Sequence, residues 1–258
     1  MFSVMNIGAN GINVQSQVLN ALSSNIANAN TPGYGERIAT TGSMAANLVR
    51  PAGVSFGGQV LGPNLSLVGG VTLVSDVPEF GNAIVPSGQV SNLAIEGNGF
   101  FTVSLPGGQL AYTRAGNFTL DANGELVLPT GAKLFPPVNV PFGDTYNVEA
   151  NGTVMVQRAG GTPQKAGQIQ LAMIANPQGL LDVGNNLYTL SAASGPATMV
   201  TPGTATAGTL VSGSLNQSST NLATNLVDLI QAETVYNLSA KVVTVGEAVT
   251  KATTNLQV

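Results

Sequence analysis

The sequence predicts an α+β protein with a long helix at each end, the two helices forming a coiled-coil-like core, and a central antiparallel β-rich domain. Both ends carry apolar residues at helical spacing, and frequent turn signals divide the middle into short β-favouring pieces. We expect four parts: an N-terminal helix in 1–33, a linker with an extended loop or hairpin in 34–70, a β domain in 71–215, and a C-terminal helix in 216–258 that pairs with the first.

The N-terminal helix is expected over about residues 3–28, which contain no proline. One apolar stripe comprises Val4, Ile7, Val14, Val18 and Ala21, and a second comprises Met5, Ile12, Leu19, Leu22 and Ile26. Two stripes predict a helix that is enclosed on more than one side. The segment Asn30-Thr31-Pro32-Gly33 should end the helix, because a residue before proline avoids the α region and glycine favours a turn.

The C-terminal helix is expected over about 219–256, with Ser219 or Thr220 as its N-cap. Its two stripes are Leu222, Leu226, Leu229, Tyr236, Ala240 and Val243, and then Val227, Ile230, Leu238, Val242, Val245, Val249, Ala252 and Leu256. A helix of this length extends roughly 50 Å at about 1.5 Å per residue. Part of it should therefore project beyond a small domain.

The middle of the chain is predicted to form short strands separated by turns. The strands are expected at 100–105, 110–113, 118–120, 125–128, 153–157, 168–174 and 187–190. Asn-Gly and similar pairs between such runs favour antiparallel hairpins. Residues 41–70 show no clear period and read as an extended loop or hairpin that orders on packing against neighbours.

Composition narrows the functional classes. Only 8% of the 258 residues are charged, against roughly 25% in typical soluble domains. Low charge suits a subunit that buries its surface against copies of itself, and equally a secreted β-rich protein with an uncharged polar surface. Eight basic residues and a net charge of −4 argue against nucleic acid. No apolar run approaches the roughly 20 residues of a membrane span, and residues 1–8 lack the pattern of a cleavable signal peptide.

The sequence predicts no catalytic, cofactor-binding or metal-binding residues. It contains no histidine and no cysteine, which removes the common nucleophile–base pairs and metal ligands. A paired-carboxylate glycosidase remains formally possible, but Glu96, Asp121, Glu125 and Glu149 lie in turn-like contexts. The segment 121–125 is similar to part of a calcium loop but lacks the rest of the ligand set, so we interpret it as a hairpin turn.

Two motifs carry a resemblance to a known family. Residues 24–34, SNIANANTPGY, resemble the signature near the N-terminus of bacterial flagellar rod, hook and hook-associated proteins. Residues 93–101, LAIEGNGFF, followed by YTRAGNF at 112–118 and DANG at 121–124, are similar to the core of the rod and hook proteins. The first motif assigns a family hinge to Asn25, Asn28, Asn30, Thr31, Pro32, Gly33 and Tyr34. The second assigns a β-core to Ala94, Ile95, Gly97, Gly99, Phe100, Phe101, Tyr112, Arg114 and Phe118.

The spacing of later segments is most similar to the distal rod members of that family, while short hook proteins and the proximal rod share the same motifs. The resemblance implies a subunit exported unfolded through the type III apparatus without a cleavable signal peptide. It implies a helical homopolymer in the basal body, spanning the periplasm, transmitting torque and serving as an export channel. The implied partners are proximal rod, hook, ring or bushing proteins, the export apparatus and the rod cap.

The implied tube is lined by the terminal helices. The expected subunit interface comprises Val4, Ile7, Ile12, Val14, Val18, Leu19, Leu22, Ile26, Leu222, Leu226, Leu229, Ile230, Tyr236, Val242, Val245 and Val249. Two alternatives from other classes stay open: a secreted carbohydrate-active protein, although tryptophan is absent, and a phage-type fibre.

Overall fold

The computed structural model describes residues 2–45, 47–50, 55–56, 59–60, 65–67, 69–141, 143–204 and 207–255. These residues form two compact units. The helix unit comprises the described residues within 1–26, 37–76 and 222–258, and the β unit those within 27–36 and 77–221. The helices at the two ends and the β-rich middle confirm the α+β class.

The two terminal helices are α1, Phe2–Ala27, and α2, Leu222–Asn255. The predicted N-cap is wrong because α2 begins at Leu222, which puts Asn221 and neither candidate directly before the helix. The Ser219 hydroxyl donates to the Glu79 carbonyl at 2.7 Å and accepts from the Glu36 backbone N–H at 2.7 Å, so it serves the β unit instead. Thr220 Oγ1 is buried without a hydrogen-bond partner in the described part of the chain. Leu256 lies outside the described residues.

Glycines allow α1 and α2 to approach closely within the helix unit. A Cβ on Gly8 would lie 2.7 Å from Val243 Cγ2, and a Cβ on Gly246 would lie 2.8 Å from Met5 Cγ. Farther along, the side chains of Asn25 and Asn225 are hydrogen-bonded. Contacts that lie later in the sequence of α1 therefore lie earlier in the sequence of α2, so the two helices are antiparallel.

The described residues within 37–76 of the helix unit form most of a nested ladder of strands, which we call the hairpin arm. Its strands are β1 (Glu36–Ser43), β2 (Asn47–Arg50), β3 (Ser55–Phe56), β4 (Gln59–Val60), β5 (Leu65–Leu67) and β6 (Val71–Glu79). β1 pairs with β6, β2 with β5, and β3 with β4. The sequence did not predict β1 and β6 as strands. Residues 41–70 are expected to become ordered on packing against neighbouring subunits, and this segment lies partly outside the described residues.

The β unit contains the remaining strands. They are β7 (Ile84–Pro86), β8 (Leu93–Glu96), β9 (Phe100–Ser104), β10 (Leu110–Thr113), β11 (Thr119–Leu120), β12 (Leu126–Val127), β13 (Lys133–Leu134), β14 (Thr145–Val148), β15 (Thr153–Gln157), β16 (Gln164–Gln168), β17 (Leu171–Ile174), β18 (Leu181–Asp182), β19 (Tyr188–Thr189), β20 (Ala197–Val200), β21 (Thr209–Ser212) and β22 (Ser214–Asn216). A short 3₁₀ helix covers Pro177–Gly179.

Most of these strands form one antiparallel sheet. Its order is β11-β12-β13-β9-β10-β19-β18, with β17 paired to β9 and β20 paired to β17. β14, β15 and β16 form a separate sheet, β21 pairs with β8, and β22 pairs with β7. The single strand expected over 168–174 is wrong. The strand is interrupted at Ile169. The side chain of this residue is buried in the core, and its N–H donates to the Gly152 carbonyl.

The predicted hairpin turn after β11 is confirmed. The Asp121 N–H donates to the Glu125 carbonyl at 2.9 Å, and one Asp121 carboxylate oxygen accepts from the backbone N–H groups of Asn123 and Glu125. An aspartate that bonds its own turn in this way stabilises a tight reversal. The carboxylate of Asp121 therefore serves the local backbone.

Candidate assembly surface

The terminal helices expose large apolar side chains. Among the expected interface residues, Val4, Ile7, Leu222, Leu226, Ile230, Val242, Val245 and Val249 are between 37% and 61% exposed. Ile12, Val18, Leu19, Ile26, Leu229 and Tyr236 are half-buried, while Val14 and Leu22 are buried within the chain itself. Sequence reasoning left Val227, Val235 and Leu238 out of the set, and they too are exposed.

Helix α2 buries little of its own apolar surface. Among its described residues, the buried ones are Asn225 and Ala232, so the large aliphatic side chains of both stripes that the structure describes remain at least partly accessible. Val4 of α1 and Val242, Val245 and Val249 of α2 line a groove of about 500 Å³. Contiguous exposed apolar surface of this kind marks a site of interaction with another macromolecule.

Asn25, the first residue of the predicted hinge, is a hydrogen-bonding centre. The residue is only 1% exposed. Its side chain accepts a hydrogen bond from the Arg37 N–H at 2.8 Å and donates one to the Arg37 carbonyl at 2.9 Å. It also donates to Asn225 Oδ1 at 3.0 Å. One amide therefore joins α1, α2 and β1 inside the helix unit.

The rest of the predicted hinge forms a bonded loop in the β unit. The Thr31 hydroxyl donates to Asn28 Oδ1 at 3.0 Å, the Pro32 carbonyl accepts from Asn186 at 2.9 Å, and the Gly33 N–H donates to the Asn216 carbonyl at 2.8 Å. Tyr34 is buried and Asn30 is exposed. The segment is thus fixed by hydrogen bonds along its length.

The β-core motif supplies the centre of the β unit. Ala94, Ile95, Phe100, Phe101, Tyr112 and Phe118 are all buried. The two glycines have steric roles: Gly97 has φ +147, and a Cβ on Gly99 would lie 3.0 Å from both the Ala207 carbonyl oxygen and Leu171. The motif residues therefore form a structural core.

Arg114 is the one charged residue among the nine assigned to the β-core, and it is 3% exposed. Its guanidinium donates to the carbonyls of Gly81 and Gly97 and to Asn82 Oδ1, at 2.6 to 2.9 Å. It also lies over the rings of Phe80 and Phe100. Burial lowers the pKa of Arg114 to about 10. Its neutral acceptors and aromatic neighbours identify Arg114 as a clamp between loops.

The turn carboxylates bind neighbouring polar groups. Glu96 accepts from the Thr209 hydroxyl, Glu149 accepts from Asn151, and Glu125 pairs with Lys133. Over the described ranges, no cluster of three acidic side chains is arranged to hold a metal ion. None of the helices described is both long enough and apolar enough to cross a membrane.

Comparison with known proteins defines the class. Residues 5–34 match the family model of the flagella basal body rod protein. Residues 94–156 match that of the flagellar hook protein FlgE/F/G D1 domain. Terminal helices that flank such a domain in the sequence define a protein of the flagellar rod and hook class.

Full-length relatives specify the family. A flagellar basal-body rod protein FlgG from Buchnera aphidicola is 34% identical over 93% of this chain and 94% of its own length. A FlgG from Caulobacter vibrioides is 32% identical over 96% of this chain and 97% of its own length. A hook protein FlgE from Brucella abortus is 36% identical over 51% of this chain and 30% of its own length. The chain belongs to the FlgG family of flagellar basal-body rod proteins.

Proposed function

We propose that this protein is a structural subunit of the distal rod of the bacterial flagellum. It polymerises into a helical tube that transmits torque from motor to hook and through which later axial subunits are exported. The observation that carries the proposal is the exposed apolar surface of α1 and α2. The family is structural, and the proposal gives no residue a catalytic, cofactor-binding or metal-binding role.

The driving force is the burial of these side chains against neighbouring subunits. Complete burial of a valine or leucine is worth roughly 1.5–3 kcal/mol, so covering one that is half exposed adds about 1 kcal/mol. Val245, Val249 and Ile230 are among those that a neighbour would cover. The antiparallel helix pair of one subunit would pack in a coiled-coil-like manner on the pairs of adjacent subunits. Repeated head-to-tail contacts that do not close generate a helical filament.

This packing would give each part of the chain its own position in the tube. The terminal helices, about 1–33 and 216–258, would form the inner core of the tube. The β domain, about 71–215, would form an outer layer, and residues 34–70 would supply an extended arm. The proposed partners are the proximal rod and hook at the two ends, ring proteins around the rod, and the rod cap and export apparatus during assembly. The proposed location is the periplasmic span of the basal body, reached without a cleavable signal peptide.

Two family members offer alternative roles, a short hook protein and a proximal rod paralogue. The FlgG relatives match this chain over nearly the full length of both proteins, whereas the FlgE relative covers 30% of its own length, which favours the rod. The test is deletion of the gene followed by electron microscopy of isolated basal bodies. A truncated rod without a hook supports a distal rod subunit, while a complete rod without a hook would make the protein a hook subunit.

The single chain offers a second test of the same proposal. If the helices gain much of their stability from neighbours, the folded helix unit of the unassembled protein should open more readily than the β unit. Limited proteolysis should then remove both ends first and leave a fragment of about 71–215. The fragment is identified by mass spectrometry. Protease-resistant ends in a monodisperse monomer would show that the helices do not depend on neighbours.

A further inference from the structure

The base of the hairpin arm is connected to both terminal helices through one side chain. Asn25 on α1 satisfies the backbone N–H and the backbone carbonyl of Arg37 on β1, as a neighbouring strand would. The second hydrogen of its amide goes to Asn225 on α2. Asn25 and Asn225 are each 1% exposed, so water has little access to these two side chains.

Arg37 continues the connection to the other strand at the base of the arm. Its Nε donates to Asp76 Oδ1 at 3.1 Å and its Nη2 to Asp76 Oδ2 at 2.6 Å, which is a bidentate ion pair. The polar chain Asn225–Asn25–Arg37–Asp76 therefore links α2, α1, β1 and β6 in that order. These four residues all lie in the helix unit.

A second contact fixes the arm nearer the N-terminal end of α1. Asn10 Nδ2 donates to the Gly69 carbonyl at 3.3 Å, and the Met44 N–H donates to the Gly70 carbonyl at 2.9 Å. Asn10 and Asn25 are separated by about 22 Å along the helix at roughly 1.5 Å per residue. The arm is therefore held at two levels on the helix of its own subunit.

We propose that Asn25 is a positioning residue that fixes the base of the hairpin arm to the antiparallel helix pair. The role requires an amide, because two donors and an acceptor must act from one short side chain. Aspartate has no donor when ionised, and serine or threonine has one donor. Replacing Asn25 by alanine would leave the N–H and carbonyl of the half-buried Arg37 without these partners, which is costly. The inference concerns one chain and does not require that the chain polymerises.

The test is amide hydrogen exchange, resolved by NMR, on the full chain. Asn25→Ala should accelerate exchange of the Arg37 amide about tenfold, and Asn225→Ala, which removes one of the bonds to Asn25, about threefold. Asn20→Ala and Asn237→Ala are matched controls on exposed faces of α1 and α2, and should leave that amide unchanged. An Arg37 amide that exchanges at the wild-type rate in Asn25→Ala would overturn the proposal.

Asn25→Ala could also unfold the helix unit, which circular dichroism would detect as lost helicity. In that case the exchange of the Arg37 amide in Asn225→Ala is the test of the proposal. Faster Arg37 exchange with unchanged helicity supports the positioning role, and unchanged exchange overturns it. A swimming assay separates this inference from the proposed function. If exchange changes as expected while a strain with the gene deleted still swims normally, the positioning role stands and the rod function is contradicted.

Discussion

Gly33 lies against the backbone of Arg114. A Cβ on Gly33 would approach the Arg114 carbonyl carbon to 2.3 Å and its oxygen to 2.4 Å, and Gly33 has φ +67. Both the left-handed conformation and the contact require glycine here. The turn that follows α1 is thus held against the loop that carries the buried arginine of the β-core motif.

Gly33→Ala should therefore destabilise the protein by at least about 2 kcal/mol, because alanine meets both the steric contact and the left-handed penalty. Gly88→Ala is a matched control. Gly88 has φ +74, but a methyl group added there would have nothing within 4 Å, so the cost should be limited to about 1 kcal/mol. Urea unfolding of both variants measures the difference. Equal losses of stability would show that the contact with Arg114 is unimportant.

The close approach of α1 and α2 gives a second prediction. Gly8→Val should lower the free energy of unfolding by about 1–3 kcal/mol, because the larger side chain would collide with Val243 and the backbone of Ser239. Ala9→Val, on the exposed side of α1, is the control and should change stability little. Thermal unfolding followed by helical circular dichroism reports the result. A Gly8→Val protein as stable as the control would contradict this helix packing.

The clamp role of Arg114 gives a third prediction. Arg114→Lys keeps the charge but loses the planar fork, so the acceptors at Gly81, Asn82 and Gly97 lose donors from this buried side chain. We expect a loss of about 1–3 kcal/mol. Arg158→Lys, at an exposed position, should stay within about 0.5 kcal/mol of wild type. Chemical denaturation measures the free energy of unfolding of the two variants. Equal stabilities would show that Arg114 does not hold these loops together.

A fourth prediction concerns acid sensitivity. Hydrogen bonds from the backbone of Glu125 and then Asn123 lower the pKa of Asp121 below its ordinary value of 3.8, and Lys133 adds a smaller effect. A carboxyl whose pKa is lowered on folding stabilises the protein above its unfolded pKa and loses this contribution as pH falls through the folded pKa. The stability advantage of wild type over Asp121→Asn should therefore shrink in acid. NMR titration of Asp121 and unfolding at several pH values measure both quantities, and a pKa at or above 3.8 would contradict the role.

The helices and the β-rich middle could be predicted because their signals are local. Apolar spacing located α1 and α2 to within a few residues, and the turn after β11 follows from an aspartate that bonds its own backbone. The role of Ser219 could not be predicted, because its partners Glu36 and Glu79 are distant in sequence. Strands β1 and β6 were missed for the same reason, since they lack a clear apolar alternation and are defined by pairing with each other.

The candidate surface was predictable in part. Two apolar stripes on each helix imply more than one buried face, but periodicity does not say which residues are covered within the chain. The structure separates them: Val14 is buried, whereas Val245 is exposed. The polar centre at Asn25 carries no apolar signal, and its pairing with Asn225 joins residues 200 positions apart.

The central claim is that the exposed apolar faces of the terminal helices are the polymer interface. The most direct measurement is electron microscopy of basal bodies from a deletion strain that produces either Val245→Asp or Leu181→Asp. The two positions are matched, because Val245 on α2 is 55% exposed and Leu181 on the β unit is 56% exposed. Burying an unpaired carboxylate against a neighbour is strongly unfavourable. We predict truncated rods without hooks for Val245→Asp and complete rods for Leu181→Asp. Complete rods built from Val245→Asp would contradict the claim.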